Sequence, residues 1–322
     1  MHLRNFNTAI NVLIDKARKT YFKIRKTIGL NNPCRLLEKL FDSLVSPILL
    51  YCSEIWGIEF SIKDDTSNPI EKFHLKFIKE ILGVNCKAAN DACCAELARL
   101  PFNVKINSAI VGFYNHLIAD ENTLAYDIYK VTKDTNPWTK KVHYSLNSFG
   151  YSYLINNSLM FKANIKQIKQ RIKDINIQKQ NSNIKMNSKL SFFIGVYKIG
   201  ERPPYVDSLI NLTDRSMICR LKISAHQLMI EKGRHLNLPT EERICPICNV
   251  FIEDEFHFLF DCSCYKSQRD TFNNKIIRVY TNFNNLNNIK NVNILFNNNS
   301  YKILKMSSNF ISECLEIRKN KL

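Results

Sequence analysis

Eight glycines and nine prolines among 322 residues leave this chain few places at which to turn sharply. A sandwich or barrel of short strands needs turn residues at regular intervals of roughly ten positions, and this sequence does not supply them. Helices are what remains, and the apolar residues bear that out by recurring at steps of three and four. Leu13, Ala17, Tyr21, Ile24 and Ile28 predict a helix from Ala9 that stops at Gly29. Pro33 opens a second, through Leu36, Leu37, Leu40, Phe41, Leu44 and Val45, which Pro47 kinks near Ser46. Ile70, Phe73, Phe77, Ile78 and Ile81 define a third that ends at Gly83, Asn90 caps a short one, and another follows Pro101 with Val104, Ile110, Val111, Tyr114 and Leu117 on its apolar side. With 45% apolar residues the chain can bury a core, which excludes disorder throughout.

Residues 122–204 are less periodic and read as a basic connector, with one helix around Ile165, Ile168 and Ile172 and a short strand over Leu190–Val196. Thr213 caps a helix that runs to Lys232, with Gly233 just beyond it. Its buried arc is Met217, Ile218, Leu221, Ala225, Leu228 and Met229; Arg215, Lys222 and His226 align on another face, read as a cationic surface. Twelve of the 27 residues from Asn273 to Asn299 are Asn, which predicts loops around short helices before a last helix, Tyr301 to Arg318. Four segments result: 1–121, 122–205, 206–270 and 271–322.

The net charge is +17. Met1–Leu30 holds seven Lys and Arg against one acid, and Lys162–Lys189 holds eight against one, so two short stretches supply most of the surplus. A field of that sign attracts polyanions, either nucleic acid or an anionic membrane. On the first helix Lys16, Arg18, Lys19, Lys23, Arg25 and Lys26 face a single acid, Asp15, whereas an ordinary solvated face mixes both signs. No membrane interaction is expected, because the longest uncharged apolar run, Ser43–Ser53, is about half the length of a span. Met1–Lys16 lacks the unbroken apolar core of a secretion signal, and 11 cysteines scattered along the chain fit reduced thiols better than a disulfide framework. The expected location is intracellular, nuclear or cytoplasmic, and not secreted.

Cys245, Cys248, His257 and Cys262 form the pattern C-x2-C-x8-H-x4-C. Two thiolates three positions apart reach one ion from a tight turn, and a His and a Cys five apart close a tetrahedron. Three thiolates and an imidazole fill that tetrahedron and leave no place for an activated water, so the expected cofactor is structural zinc. Cys264 is the rival fourth ligand, and Glu253, Asp254 and Glu255 read as favouring the N-terminus of the helix that bears His257. No Mg site is expected: the only adjacent aspartate pair, Asp64–Asp65, lies in a polar loop without rigid elements to hold it. Phosphate-loop, nucleophile-elbow and H-E-x-x-H motifs are absent from the sequence. No residue is therefore assigned a catalytic role.

Several segments, in order, resemble one family. Leu40-Phe-Asp-Ser-Leu-Val-Ser-Pro-Ile-Leu-Leu-Tyr-Cys-Ser-Glu-Ile-Trp-Gly57, Ile70-Glu-Lys-Phe-His-Leu-Lys-Phe-Ile-Lys-Glu-Ile-Leu-Gly-Val84 and Ala95-Glu-Leu-Ala-Arg-Leu-Pro101 are similar to the region just after the polymerase palm in non-LTR (LINE-type) retrotransposon reverse transcriptases. Arg220-Leu-Lys-Ile-Ser-Ala-His-Gln-Leu-Met-Ile-Glu-Lys-Gly-Arg-His235, Arg243-Ile-Cys-Pro-Ile-Cys248 and Glu255-Phe-His-Phe-Leu-Phe-Asp-Cys262 resemble the C-terminal zinc-binding element of the same polyproteins. The resemblance implies a mainly α chain: a thumb-like helical bundle beside a template–primer duplex, a basic helical connector, and a small CCHC zinc knuckle with flanking helices. It implies that Cys245, Cys248, His257 and Cys262 hold zinc, and that glycine belongs where Cys52 stands. The family's catalytic aspartates lie in the palm, upstream of the first matching segment, and no residue here matches them.

The expected function is therefore that of a C-terminal fragment of such a reverse transcriptase that binds RNA, DNA or both without polymerising alone. Lys16, Arg18, Lys19, Lys23, Arg25, Lys26, Arg215, Lys222 and His226 are the candidate contacts. The alternatives are a zinc-stabilised protein-interaction module and, given an upstream palm, part of an active RNA-directed DNA polymerase.

Overall fold

The computed structural model describes residues 6–61, 68–119, 121–155, 157–281, 283 and 286–322; Asp64–Asp65 lie outside them. The fold is mainly α, and among the described residues the one β-type pairing is an antiparallel bridge between Ile244 and Ile252. Helix Asn7–Ile28 buries Ile10, Ile14 and Ala17 and ends at Gly29, whose φ of +70° is the left-handed stop that glycine accepts without strain. The expected kink is a local widening. Cys34–Leu40 passes through a π-type turn, Phe41–Val45, into Ser46–Leu49, and the Ser46 N–H reaches back five residues to the Phe41 carbonyl. Pro47 in a regular helix would press its ring on the carbonyl four residues earlier, and the extra residue in the turn relieves that clash.

Pro69–Leu82 stops at Gly83, which has φ +69° and no room for a side chain, since a Cβ would lie 2.6 Å from Ser216 Cβ. Asn90 is the first helical residue of Asn90–Glu96, not its cap; Ala89 stands before it in extended conformation. Phe102–Ala119 follows.

Two compact units form, and they do not follow chain order: Met1–Lys26, Lys39–Leu75 and Leu100–Gln180 make one, while Thr27–Glu38, Lys76–Arg99 and Asn181–Leu322 make the other. Neither divides at 121/122 or 205/206. In the first unit Tyr21 meets Phe41 and Phe73 edge-on at 6.2 and 6.1 Å, around a fully buried His74 that pairs with Glu71 at 3.1 Å. The other oxygen of Glu71 accepts the Phe102 N–H at 2.6 Å, so a buried carboxylate starts the Phe102–Ala119 helix. The supposed connector is largely helical: Leu124–Thr132, Pro137–Ser148 and the 29-residue Ser158–Met186.

In the second unit the strand expected over Leu190–Val196 is helical instead, Ser191–Val196, with Phe192, Phe193 and Val196 buried. Asn187 accepts the Lys189 N–H and starts the tight turn Ser188–Leu190 that leads into this helix, a signal that an apolar run this short does not reveal. The long helix expected from Thr213 to Lys232 is two helices, Leu212–Lys222 and Met229–His235. Asn211, not Thr213, caps the first, and Ser224 at φ +54° breaks the chain between them. Gly233 lies inside the second, where a Cβ would sit 2.6 Å from Arg243 Cγ. Lys266–Ile277 and Asn288–Asn297 occupy the Asn-rich stretch and its approach, and Tyr301–Lys321 closes the unit, with Phe310 stacked on Phe272 at 4.6 Å.

Cys52 takes φ +52°, a left-handed conformation that costs an L-residue about 1–2 kcal/mol relative to glycine. Cys52→Gly is expected to raise stability by about 1 kcal/mol, read as a higher urea midpoint at unchanged slope.

Candidate metal centre and basic surfaces

The bridge between Ile244 and Ile252 folds the two cysteines of the first pair onto one turn. Cys245 N–H donates to the Phe251 carbonyl at 2.8 Å, Asn249 N–H donates to the Cys245 carbonyl at 2.9 Å, and Asn249 accepts the left-handed φ of +55°. On the other side Asp254 Oδ1 accepts the His257 N–H at 2.7 Å and starts a widened turn, His257–Asp261. That turn carries Cys262 back, its N–H on the His257 carbonyl at 2.8 Å. The ligand atoms of Cys245, Cys248, His257 and Cys262 all lie within 4.8 Å of one another, close enough to converge on one ion with bonds of about 2.0–2.3 Å. Cys248 Sγ stands 3.4 Å from His257 Nε2. Cys264 is half-buried and outside this group of four.

The donor set fits a metal ion. His257 Nδ1 is buried without a hydrogen-bond partner, so the imidazole's polar anchor is the thiol cluster it faces. Burial raises the Cys245 thiol and pushes Cys262 up to about 12. At Cys248 burial is outweighed by the backbone N–H groups of Val250 and Phe251, and its thiol is lowered. Burial lowers His257, which leaves a neutral imidazole with a lone pair to give.

The three neighbouring acids have separate tasks, and only Asp254 serves the turn bearing His257. Glu253 receives both Arg318 Nε and Nη2, at 2.6 and 2.8 Å, and accepts the Met229 N–H. Glu255 accepts from Ser224 at 2.7 Å and meets His226 at 2.9 Å, contacts that outweigh its burial and hold its carboxyl below the usual range. Arg269 donates to the carbonyls of Leu259 and Cys262.

Among the nine basic candidates the structure separates two groups. Lys16, Arg18, Lys19, Lys23, Arg25 and Lys26 are all exposed on the Asn7–Ile28 helix. Lys16, Lys19, Lys23 and Lys26 share one side, opposite Ile14 and Ala17, and Arg18 pairs with Asp15 at 2.6 Å. Arg215, Lys222 and His226 form no such surface. The Arg215 guanidinium is fully buried and donates to the carbonyls of Ile81, Leu209, Leu30, Asn32 and Ile210 at 2.8–3.3 Å. Lys222 is 2% exposed; its Nζ pairs with Glu96 at 2.7 Å and lies over the rings of Phe193 and Tyr205. His226, with its side chain 4% exposed, turns to Glu255. Arg215 and Lys222 do share a side of Leu212–Lys222, but His226 lies beyond its end, and neighbouring segments cover that side as well as the apolar one. The readable signal was Glu96, an acid in the otherwise apolar Cys93–Leu97, which no surface requires.

The sequence also left unmarked a cavity of about 450 Å³ in the first unit, lined by Ile55, Phe113, Ile128, Tyr129 and Trp138 with Glu59. Its walls come from distant segments, and no motif announces it. Among the described residues no helix is long and apolar enough to cross a membrane. Comparisons of the chain with protein-family models, curated proteins and solved structures return no match.

Glu96→Ala leaves the Lys222 charge buried and unpaired, and should cost about 3–5 kcal/mol in chemical unfolding. Glu96→Ala combined with Lys222→Met is expected to recover most of that loss.

Proposed function

We propose that this chain is a nucleic-acid-binding portion of a non-LTR retrotransposon reverse transcriptase, with zinc as a structural element. The observation that carries the binding is the exposed side of the Asn7–Ile28 helix on which Lys16, Lys19, Lys23 and Lys26 stand together, in a helix that holds six cations and one acid in all. Charge of one sign on a rigid helix favours phosphates through counterion release, giving affinity that falls steeply with salt and little choice of sequence. The ordered segments from Leu40 to Cys262 support the family, and the convergence of three thiols and an imidazole supports zinc over harder ions. Zinc here closes the knuckle and takes no part in bond-making, because all four positions are filled by protein.

Fluorescence anisotropy with labelled RNA and DNA at several salt concentrations tests the binding. Wild-type affinity should fall as salt rises, and replacing Lys16, Lys19, Lys23 and Lys26 by Ala should weaken binding and flatten the slope by roughly 3–4. Salt-independent binding, or none at low salt, rejects the proposal. Elemental analysis should find about one zinc per chain, and Cys245→Ser should lose the metal and lower the thermal midpoint; metal-free protein of unchanged stability rejects the zinc site.

One observation favours a second reading, a protein-interaction module. Val250 and Phe251 at the tip of the knuckle are 63% and 61% exposed, an apolar pair at the surface of a chain of net charge +17. A surface of that kind suits a polypeptide partner better than a phosphate backbone.

A further inference from the structure

A second basic row stands in the first unit, on the part of the Ser158–Met186 helix that runs through Lys162, Lys166, Lys169 and Lys173. We propose that these four lysines bind the phosphate backbone of single-stranded nucleic acid. The inference rests on the nucleic-acid reading above and specifies which strand form this surface takes.

The four residues fall at i, i+4, i+7 and i+11, which places them within about 60° of one another and spreads them over roughly 16 Å of helix. Lys162, Lys166 and Lys173 are exposed, and Lys169 is half-buried. The helix is held along a face roughly 110° round from the row: Phe161, Ile168 and Ile172 are fully buried, and Phe161 meets Tyr114 at 5.2 Å. Lys169 lies against helix Phe102–Ala119 at Gly112, where a Cβ would stand 3.4 Å from its Nζ; the missing side chain leaves room for the ammonium group beside that helix.

Nothing on the helix balances this row. Its one acid, Asp174, points roughly 100° away and accepts a hydrogen bond from Gln170 at 2.8 Å. Three successive like-charge neighbours, 162/166, 166/169 and 169/173, each cost helix stability, and a polyanion laid along them reverses the sign of that contribution. The row is straight. A duplex backbone winds away from a straight line and meets it only at a crossing, whereas a single strand can lie along its whole length.

The test uses the full chain, a fluorescein-labelled thymidine oligonucleotide and a duplex of equal length, with anisotropy read across a salt series. Replacing the four lysines by Ala should reduce the single-strand slope of log affinity against log salt by roughly 3, at about 0.7 per phosphate contact, and change the duplex slope less. The four Lys→Arg changes should keep the wild-type slope, which separates charge from folding. If the wild type binds and the Ala variant keeps its slope, this surface is rejected while the wider reading stands. Equal losses on duplex and single strand overturn the strand assignment. A wild type that binds neither probe at low salt overturns both readings.

Discussion

Two cations seven residues apart on one helix hold the second unit together. Arg215 and Lys222 lie on the same side of Leu212–Lys222, and both project into the interior. Arg215 gathers backbone carbonyls from Leu30 and Asn32, from Ile81, and from Leu209 and Ile210. Lys222 reaches Glu96, which also accepts the hydroxyl of the buried Tyr205. The unit is made of three stretches of chain, and each cation joins pieces that the backbone does not connect. A buried charge without partners costs several kcal/mol, so arrangements that leave either group unsatisfied are strongly disfavoured. The pair thereby selects one packing of those stretches as well as stabilising it.

The Cys245, Cys248, His257 and Cys262 cluster is part of the same construction. The knuckle is tied to the C-terminal helix by the two-pronged contact of Glu253 with Arg318, and to the break after Leu212–Lys222 by Glu255 with Ser224 and His226. Arg269 holds the carbonyl of Cys262, a member of the cluster itself. An ion bound by the four ligands would stabilise more than its own loop, because the residues flanking it anchor two other helices. This explains why acids crowd a site whose ligand atoms are thiols and an imidazole: Glu253 and Glu255 tie it to the surrounding framework, and Asp254 starts the turn that bears His257.

Much of the helical order was legible in the sequence because periodicity and stop signals are local. Gly29 and Gly83 both end helices with positive φ, as their positions imply. The cluster that could hold a metal ion was legible for the same reason, since Cys245 and Cys248 share a turn, and His257 and Cys262 share another. What failed were inferences that needed to know a neighbour. Leu190–Val196 reads as strand or helix until Phe192 and Phe193 find their packing, and the break at Ser224 is invisible until Glu255 arrives to bond its hydroxyl.

Charge shows the division most clearly. Sequence by itself determined that the chain is helical, strongly basic and equipped with a Cys3His cluster, because composition, period and short spacing are properties of neighbouring residues. Only the tertiary structure decided which cations meet solvent. Lys16 and Lys162 stay outside, while Arg215 and Lys222 are enclosed, although each stands on a helix with a comparable pattern. A helical wheel records which residues share a face. Whether that face is wet depends on segments far away in the chain: Glu96, Tyr205 and the carbonyl of Ile81 become partners for Lys222 and Arg215 only when the fold brings them together.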